Sequence, residues 1–413
     1  MTHPATSLGA APATSQLART LDTLDAFSDV VGGRVASAEP PAWCEARGWT
    51  EYLRHLTTAE LQRAELDVTA WMLHAEGVPD SLRSFAAQAE STTRLEHLST
   101  CFVRPALPER FVKERKLLQI EALVATLREL AEPCVRLLDV GSGKGHLSRI
   151  ASARWVLAAL GVDRNQDLLE CATDLAAGGR AEYCAIDVLH EALPVHAADL
   201  VLGLHACGEV TDIALTAAVE ARARVAFVSC CLQKVRSPTR VALSSFGRER
   251  GFSLSREVLG LSNLMGRAEG IEVAQSVSIE AHEARLGLRM LLAVRGIATL
   301  PGEEMRGVNR RRARKGFITL AREAFDSRGL SPPTDLELVR AAAKAHEEHG
   351  WMRRWSLPRT LLPRVIECAV AFDRASFLEE NGHIVRVAVA FPAEVSPRNV
   401  LVVGVPGAAI ASR

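Results

Sequence analysis

The apolar positions of this chain change their period along its length. Over residues 48–100, as in GWTEYLRHLTTAELQRAELDVTAWML, they recur three and four apart (Tyr52, Leu53, Leu56, Leu61, Leu66, Trp71), which predicts helix. Thr57 or Thr58 with Glu60 downstream gives a helix start, and SLRSFAAQAE after Pro79 begins another helix. From Phe111 the pattern changes. FVKERKLLQIEALVATLREL is an amphipathic helix, and five strand-like runs follow, VRLLDV, VLAALGVD, AEYCAID, ADLVLGLH and VAFVSCC, each ending in a polar or glycine-rich loop. HLSRIASAR, QDLLECATDLA and VTDIALTAAVEA are helical stretches between them. Strands alternating with helices imply right-handed crossovers and a parallel sheet covered on both faces, an α/β fold.

After residue 231 the alternation breaks. Residues 240–300 read mostly as helix, MRGVNRRRARKGFITLAREAF is a basic segment leading into a helix, and LELVRAAAKAHEEHG after Pro332 and Pro333 is helical. Beyond Pro358 come the helix TLLPRVIECAVAFDRASFLEENG, the strand HIVRVAVAFP, the turn EVSPRN and the strand VLVVGVP. A short turn between two strands makes that pair antiparallel. Residues 1–22, rich in Ala, Thr, Ser and Pro without clear period, are expected to be a disordered leader, and residues 40–110 a helical N-terminal region.

The 413 residues suffice for two or three domains, and 48% hydrophobic with 24% charged residues is the balance of a soluble globular protein. Lys and Arg number 49, as do Asp and Glu, so the chain as a whole is no electrostatic nucleic-acid binder; such binding needs a local patch. No apolar run reaches membrane-spanning length, and the opening MTHPATSLGAAPATSQ lacks a basic segment followed by an apolar one. Nine cysteines, most within apolar segments, suggest buried thiols in a reducing, cytoplasmic setting.

LLDVGSGKGHLS carries the most chemistry. Leu137, Leu138 and Val140 lead into Gly141, Ser142, Gly143 and Gly145, with a helix after them. A phosphate-cradling loop needs GxxxxGK followed by Ser or Thr, and here Gly145 follows Lys144. A nicotinamide-type loop needs GxGxxG, one residue longer than the GxGxG found. Acidic-x-GxGxG, with Asp139 ahead of the turn, is the pattern of S-adenosylmethionine (SAM) binding, in which Asp139 faces the ammonium group of the methionine part. Asp163 at the end of the second strand stands where a carboxylate accepts ribose hydroxyls, and Asp187 at the end of the third where a side chain accepts from the adenine amine. Each acid alone reads equally as a helix cap or a solvated loop residue. Three acids at successive strand ends, where open α/β sheets bind ligands, point to SAM.

LDVGSGKGHLS, LGLHACGEVTD and VSCCLQK in this order resemble the SAM-dependent methyltransferase-like proteins of the methyltransferase-like protein 25 group, distant kin of acceptor-stem tRNA 2′-O-methyltransferases. IECAVAFDRASFLEENG followed by VSPRNVLVV is similar to the DR…YLxExG helix and SPxN turn that both groups carry. CCLQK departs from the aromatic or histidine that often follows the cysteines there. The resemblance, over roughly residues 110–235 and 357–413, implies a Rossmann-like, seven-stranded class I methyltransferase sheet whose last strand is antiparallel. Residues 111–235 then hold strands one to five, 236–356 are a helical insertion or cap, and 357–413 supply a helix and the last two strands.

Methyl transfer from a sulfonium asks the protein to align the acceptor and, where needed, take its proton. His205, after the fourth strand, reads as a base, an acceptor-orienting or cofactor-side residue, or a hydrogen-bonded structural histidine. HACG at this position differs from the [DNS]PPY-like sequence of enzymes that methylate exocyclic amines. Cys207 and Cys230 are candidates for the acceptor pocket wall, with Lys234 reaching an anionic substrate. His205, Cys207, Cys230 and Cys231 are zinc-ligand types in an unusual spacing, so no metal is expected, and a disulfide between adjacent cysteines would be strained. Arg306, Arg310, Arg311, Arg312, Arg314 and Lys315 before Phe317 form the main basic run, with Arg311 and Arg312 as candidate substrate contacts. Arg353 and Arg354 between Trp351 and Trp355 form a second. Both suit RNA and equally a solvated helix face. The expectation is a cytoplasmic SAM-dependent methyltransferase acting on RNA. A protein or small-molecule methyltransferase and a non-catalytic SAM-binding module are the alternatives.

Overall fold

The computed structural model describes residues 11–98, 111–264 and 271–407. Residues 1–10 of the expected leader and 99–110 of the N-terminal region lie outside these. The described chain falls into two compact units. The first joins residues up to 27 with 88–268 and 362–413, and the second joins 28–87 with 269–361.

The first unit is built on an eight-stranded sheet. Its strands are β1 (Glu96–His97), β2 (Arg136–Val140), β3 (Ala158–Asp163), β4 (Ala181–Ala185), β5 (Asp199–Ala206), β6 (Arg224–Ser229), β9 (His383–Val389) and β10 (Val400–Pro406), while β7 (Thr239–Val241) and β8 (Ser253–Ser255) form a separate antiparallel pair. The order across the sheet is β1-β9-β10-β6-β5-β2-β3-β4. β2 to β6 are mutually parallel, and β10 runs antiparallel between β6 and β9. The seven expected strands are joined at one edge by the two-residue β1, parallel to β9, which the sequence pattern did not signal.

Side chains alternate between two cores, as the pleat requires. Leu137, Ala226 and Val228 pack with Leu117, Ile120, Leu147 and Ile150 on one face. Leu138, Val140, Val225 and Phe227 pack with Ala214, Leu215, Ala375 and Leu378 on the other. The strand order reverses between β2 and β5, so their C-terminal ends part and leave a crevice.

Two expectations about the ends of the core are corrected. Within the expected leader a helix, Ala13–Ala26, packs against the helix Leu362–Glu380. Leu17, Leu21 and Leu24, spaced four and three apart, are buried. Glu379 caps the helix start, its carboxylate accepting from the Ala13 N–H at 3.0 Å. The mostly helical reading of 240–300 also fails at its start. Residues 236–264 belong to the first unit, and among these described residues lie the β7–β8 pair and short helices, because the buried carboxylate of Asp373 gathers this stretch by accepting from the N–H groups of Leu243 and Ser244.

The second unit is helical and unites the expected N-terminal region with most of the expected insertion. Its helices Thr58–Leu66 and Asp335–Ser356 open on capping boxes, Thr57 with Glu60 and Thr334 with Glu337. Trp49 stacks on Phe85 at 6.0 Å between ring centres and donates from Nε1 to Ser81 Oγ.

The fully buried Leu17 gives a direct test of the N-terminal helix. Leu17→Ala is expected to cost about 2–5 kcal/mol, read as a lower urea midpoint. An unpacked leader would leave the midpoint unchanged.

Candidate active site

The parallel strands deliver their C-terminal ends to one edge of the sheet, and the expected cofactor residues stand there. After β2 the chain turns through Gly141, Gly143 and Gly145, with φ of 75°, 54° and 67°. Only glycine adopts these angles without strain. The turn lies over the end of β3, the N–H groups of Gly141 and Ser142 donating to Val162 O at 2.8 and 3.0 Å. A methyl group on Gly141 or Gly143 would meet nothing within 4 Å, whereas one on Gly145 would strike the Tyr183 hydroxyl. The first two glycines thus border open space where a ligand reaches the backbone, and the third lets Tyr183 donate to Gly145 O at 3.1 Å.

Asp163 fixes this loop. One carboxylate oxygen accepts from Gly143 N–H at 3.0 Å and the other from Asn165 N–H at 3.0 Å. Asp187, two residues past β4, accepts from Leu189 N–H at 3.1 Å and pairs with His190. These bonds hold its carboxyl below the ordinary range, the Leu189 bond first. Asp139 sits beneath the loop, 2% exposed, and accepts from Ser148 Oγ at 2.6 Å. Burial raises its carboxyl to about 6, against the pull of Ser148 and Lys116. Asp139 therefore anchors the helix after the turn, in place of the outward-facing role expected for it.

SAM fits this set. Ser142 Oγ is buried without a hydrogen-bond partner beside two glycines with free space around them. Gly141, Ser142 and Gly143 would hold the methionine part, Asp163 the ribose and Asp187 the adenine.

Across the crevice, β5 ends irregularly. Its pairing with β6 shifts between Leu204 and Ala206, and His205 between them has φ 70°, a left-handed angle a histidine rarely adopts. This turn aims the ring at the helix Glu114–Thr126, where His205 Nε2 and Gln119 Oε1 are 2.8 Å apart. Gln119 Nε2 faces Val395 O, so Oε1 accepts, Nε2 carries the imidazole proton, and Nδ1 keeps a buried lone pair with no partner. Burial lowers the imidazole to about 3, with Lys116, Arg398 and Arg115 adding to the effect, so His205 is neutral at physiological pH. Lys116, one turn before Gln119 on this helix, acts on Asp139, Cys230 and His205. Sequence reading missed both; their signal was only two polar positions on the helix that opens the core.

The thiols converge between the ends of β5 and β6. The sulfurs of Cys207, Cys230 and Cys231 lie within 4.8 Å of one another. Cys207 and Cys230 are 3.0 Å apart, and both sulfurs approach the His205 carbonyl. The hydrogen bond with Cys230 lowers the Cys207 thiol to about 5, with Lys234 assisting, while Cys230 is raised by the same bond and by burial. Lys234 is exposed, and its carbonyl packs so closely on Gly208 that a side chain there would collide with it.

The C-terminal segment fixes this half of the site. Arg374, 2% exposed, donates to Asp212 Oδ1 (2.6 Å), Ser229 Oγ (2.7 Å) and Gly208 O (2.8 Å), joining the ends of β5 and β6. Arg398 reaches Cys231 Sγ at 3.5 Å and Asn263 Oδ1 at 2.7 Å. These are the Arg of the DR pair and the residue before Asn in the SPxN turn.

The basic candidates belong to the second unit. Arg311, Arg314 and Lys315 are exposed on the 3₁₀ helix Arg310–Lys315, and Arg312 pairs with Glu323 at 3.2 Å. The second basic run is structural, which corrects its reading as an RNA contact. Arg353 pairs with Glu65, Arg354 lies over Trp351 and binds Leu56 O, and buried Trp355 donates to Ala38 O.

A family model described as a methyltransferase domain matches residues 115–238. The chain is similar to a glutathione S-transferase C-terminal domain-containing protein homolog of Drosophila pseudoobscura pseudoobscura, 33% identical over 132 residues, and covers 30% of its own length and 21% of that protein's. A TehB-like SAM-dependent methyltransferase from Corynebacterium glutamicum aligns with TM-score 0.23 and 18% identity over 26% of this chain and 60% of that one. Magnesium protoporphyrin IX methyltransferase from Synechocystis aligns with TM-score 0.23 and 18% identity over 30% and 61%. The family match places a methyltransferase domain in the chain, and the strand order is that of a Rossmann-like class I sheet. Residues 115–238 are the matched domain, and its glycine turn with Asp163 suits S-adenosylmethionine as the cofactor.

Asp163→Ala removes both the loop bond and the ribose acceptor. We expect SAM to bind at least about tenfold more weakly by calorimetry, the scale of one or two charge-assisted hydrogen bonds. An unchanged Kd would remove Asp163 from the cofactor site. For His205, the folded pKa of about 3 lies below the ordinary 6.5, so the unfolded state binds more protons between these values and the contribution to stability falls as pH drops through them. Urea midpoints of wild type and His205→Asn should therefore converge on acidification. Parallel curves would show a histidine titrating normally.

Proposed function

We propose that this chain transfers the methyl group of SAM to an RNA acceptor, a hydroxyl of tRNA or rRNA, in the cytoplasm. The observation that carries methyl transfer is the Asp163-locked glycine turn facing His205, Cys207 and Cys230 across the crevice between β2 and β5. The RNA reading rests on two supports. One is the motif resemblance to the methyltransferase-like protein 25 group and its tRNA-modifying kin. The other is the exposed set Arg311, Arg314 and Lys315, with Lys234 at the rim of the crevice, whose charges suit phosphates.

Bound SAM supplies a methyl group on a sulfonium, a good leaving group. The chain's work is alignment. Asp163 and Asp187 orient the cofactor from one side. On the other, His205 is a positioning residue, neutral, held by Gln119 and strained by its φ of 70°. With Nε2 engaged by Gln119 and Nδ1 buried, the ring shapes the wall beside the acceptor and does not remove its proton.

A small-molecule acceptor is favoured by one observation. A cavity of about 720 Å³ is lined by Leu193, Val195, Glu209, Ile213, Val235 and Arg240, of which Glu209 and Val235 adjoin Gly208 and Lys234 in sequence. One experiment separates the readings. The chain is incubated with methyl-labelled SAM and cell extract treated with RNase, protease or both. Label lost only after RNase supports RNA. Label lost only with protease, or retained after both treatments, overturns it.

A further inference from the structure

We propose that Cys207, Cys230 and Cys231 form a three-thiolate binding site for a soft divalent cation of the zinc class at the tips of β5 and β6. Their mutual separation, within 4.8 Å, brackets what a tetrahedral ion needs. A Zn–S bond of about 2.3 Å sets neighbouring sulfurs about 3.8 Å apart. The Cys207–Cys230 pair, now at 3.0 Å, has to open by less than about 1 Å, within reach of half-buried side chains adjusting χ1.

The sequence spacing argued against a metal because adjacent cysteines rarely ligate one ion comfortably. The structure removes that objection. β6 ends at Ser229, and the chain turns at once, Lys234 N–H donating to Cys231 O at 3.0 Å, so Cys230 and Cys231 lie outside the pleat. The irregularity at His205 brings Cys207 against them from β5. Arg374 then bonds Ser229 Oγ and Gly208 O, so residues beside two of the ligands are fixed to one guanidinium. The ligands thus come from two strand ends tied together by an arginine from a third, distant segment.

Charge agrees. Three thiolates with one dication leave a single negative charge. Arg398 stands 3.5 Å from Cys231 Sγ with its other nitrogen fixed on Asn263, Lys234 acts on Cys207, and Lys116 on Cys230. Such outer groups orient and stabilise metal-bound thiolates. Three metal–sulfur bonds form as each sulfur still protonated loses its proton to solvent, with no change of oxidation state. Three protein ligands leave the fourth position of a tetrahedral ion for water or a heteroatom of the acceptor. The inference does not depend on the acceptor being RNA.

The test uses the full chain purified under reducing, oxygen-free conditions. Metal analysis and Co²⁺ titration should show one ion per chain, with thiolate-to-cobalt absorption and tetrahedral d–d bands. Cys207→Ser, Cys230→Ser and Cys231→Ser should each weaken binding at least about tenfold, while Cys184→Ser, at an exposed thiol of β4, leaves it unchanged. SAM binding reports whether each variant is folded. A second readout needs no variant: zinc should shield these three thiols of the wild type from alkylation, mapped by mass spectrometry. Absence of a bound ion, an ion held without these cysteines, equal alkylation with and without zinc, or a Cys207–Cys230 disulfide in the reduced preparation overturns the proposal.

Discussion

The ends of β5 and β6 depend on one buried charge cluster. Arg374 and Arg240 share Asp212, and Arg240 also pairs with Asp373, whose carboxylate accepts from the backbone of Leu243 and Ser244 and from Ser244 Oγ. Burial pushes the Asp212 carboxyl up, and the two guanidinium groups more than offset it, leaving it below its ordinary value. Buried ion pairs add little net stability over an apolar packing of the same volume, because desolvation consumes the Coulombic gain. What this cluster supplies is geometry. Five segments, ending β5, beginning the helix Glu209–Ala221, ending β6, forming β7 and crossing the helix Leu362–Glu380, must meet at the same oxygens and guanidinium nitrogens. A slip of any of them would leave a charge without its partner.

That constraint explains why the methyltransferase domain is discontinuous. Residues 115–238 supply the cofactor turn and the thiols, but not Arg374, Asp373, Arg398 or the two strands that complete the sheet. The helix carrying Asp373 and Arg374 is buried along almost its whole length, and it also carries Glu379 and Glu380, which receive the starts of two other helices. Chain far outside the domain therefore determines where Gly208 and Ser229 stand, and with them Cys207 and Cys230. The cofactor side is different. Asp163 and the three glycines shape it within about 25 residues of chain, so its geometry is local.

The same contrast governs what the sequence disclosed. The seven main strands are legible because each is a short apolar run ending in a turn, and the cofactor site because glycine at positive φ and an acid at a strand end are local demands that leave local residues. The helix Ala13–Ala26 is not legible, since its three leucines are spread among Ala and Thr and its reason to fold is a face of a helix more than 300 residues away. Nor is the union of residues 28–87 with 269–361, which leaves no periodic trace. Arg353 and Trp355 mislead for a related reason. A basic and aromatic run looks the same in sequence whether it faces a nucleic acid or, as here, Glu65 and Ala38 O inside a packed helical unit.

His205 shows how a residue type can suggest the wrong chemistry when its surroundings are unseen. A histidine after a central strand invites the role of base, yet a base acting near neutrality needs a pKa close to the working pH. Burial and three nearby cations keep this imidazole neutral far below that range. Its cost is visible in the backbone, where a left-handed φ interrupts the pairing of β5 with β6. Strain of this kind persists only where the surroundings over-determine it. Here Gln119 holds the ring from one side while Cys207 and Cys230 crowd the carbonyl from the other. The ring, the thiols and the end of the strand are consequently one mechanical unit, so a change at any of them shifts the other two.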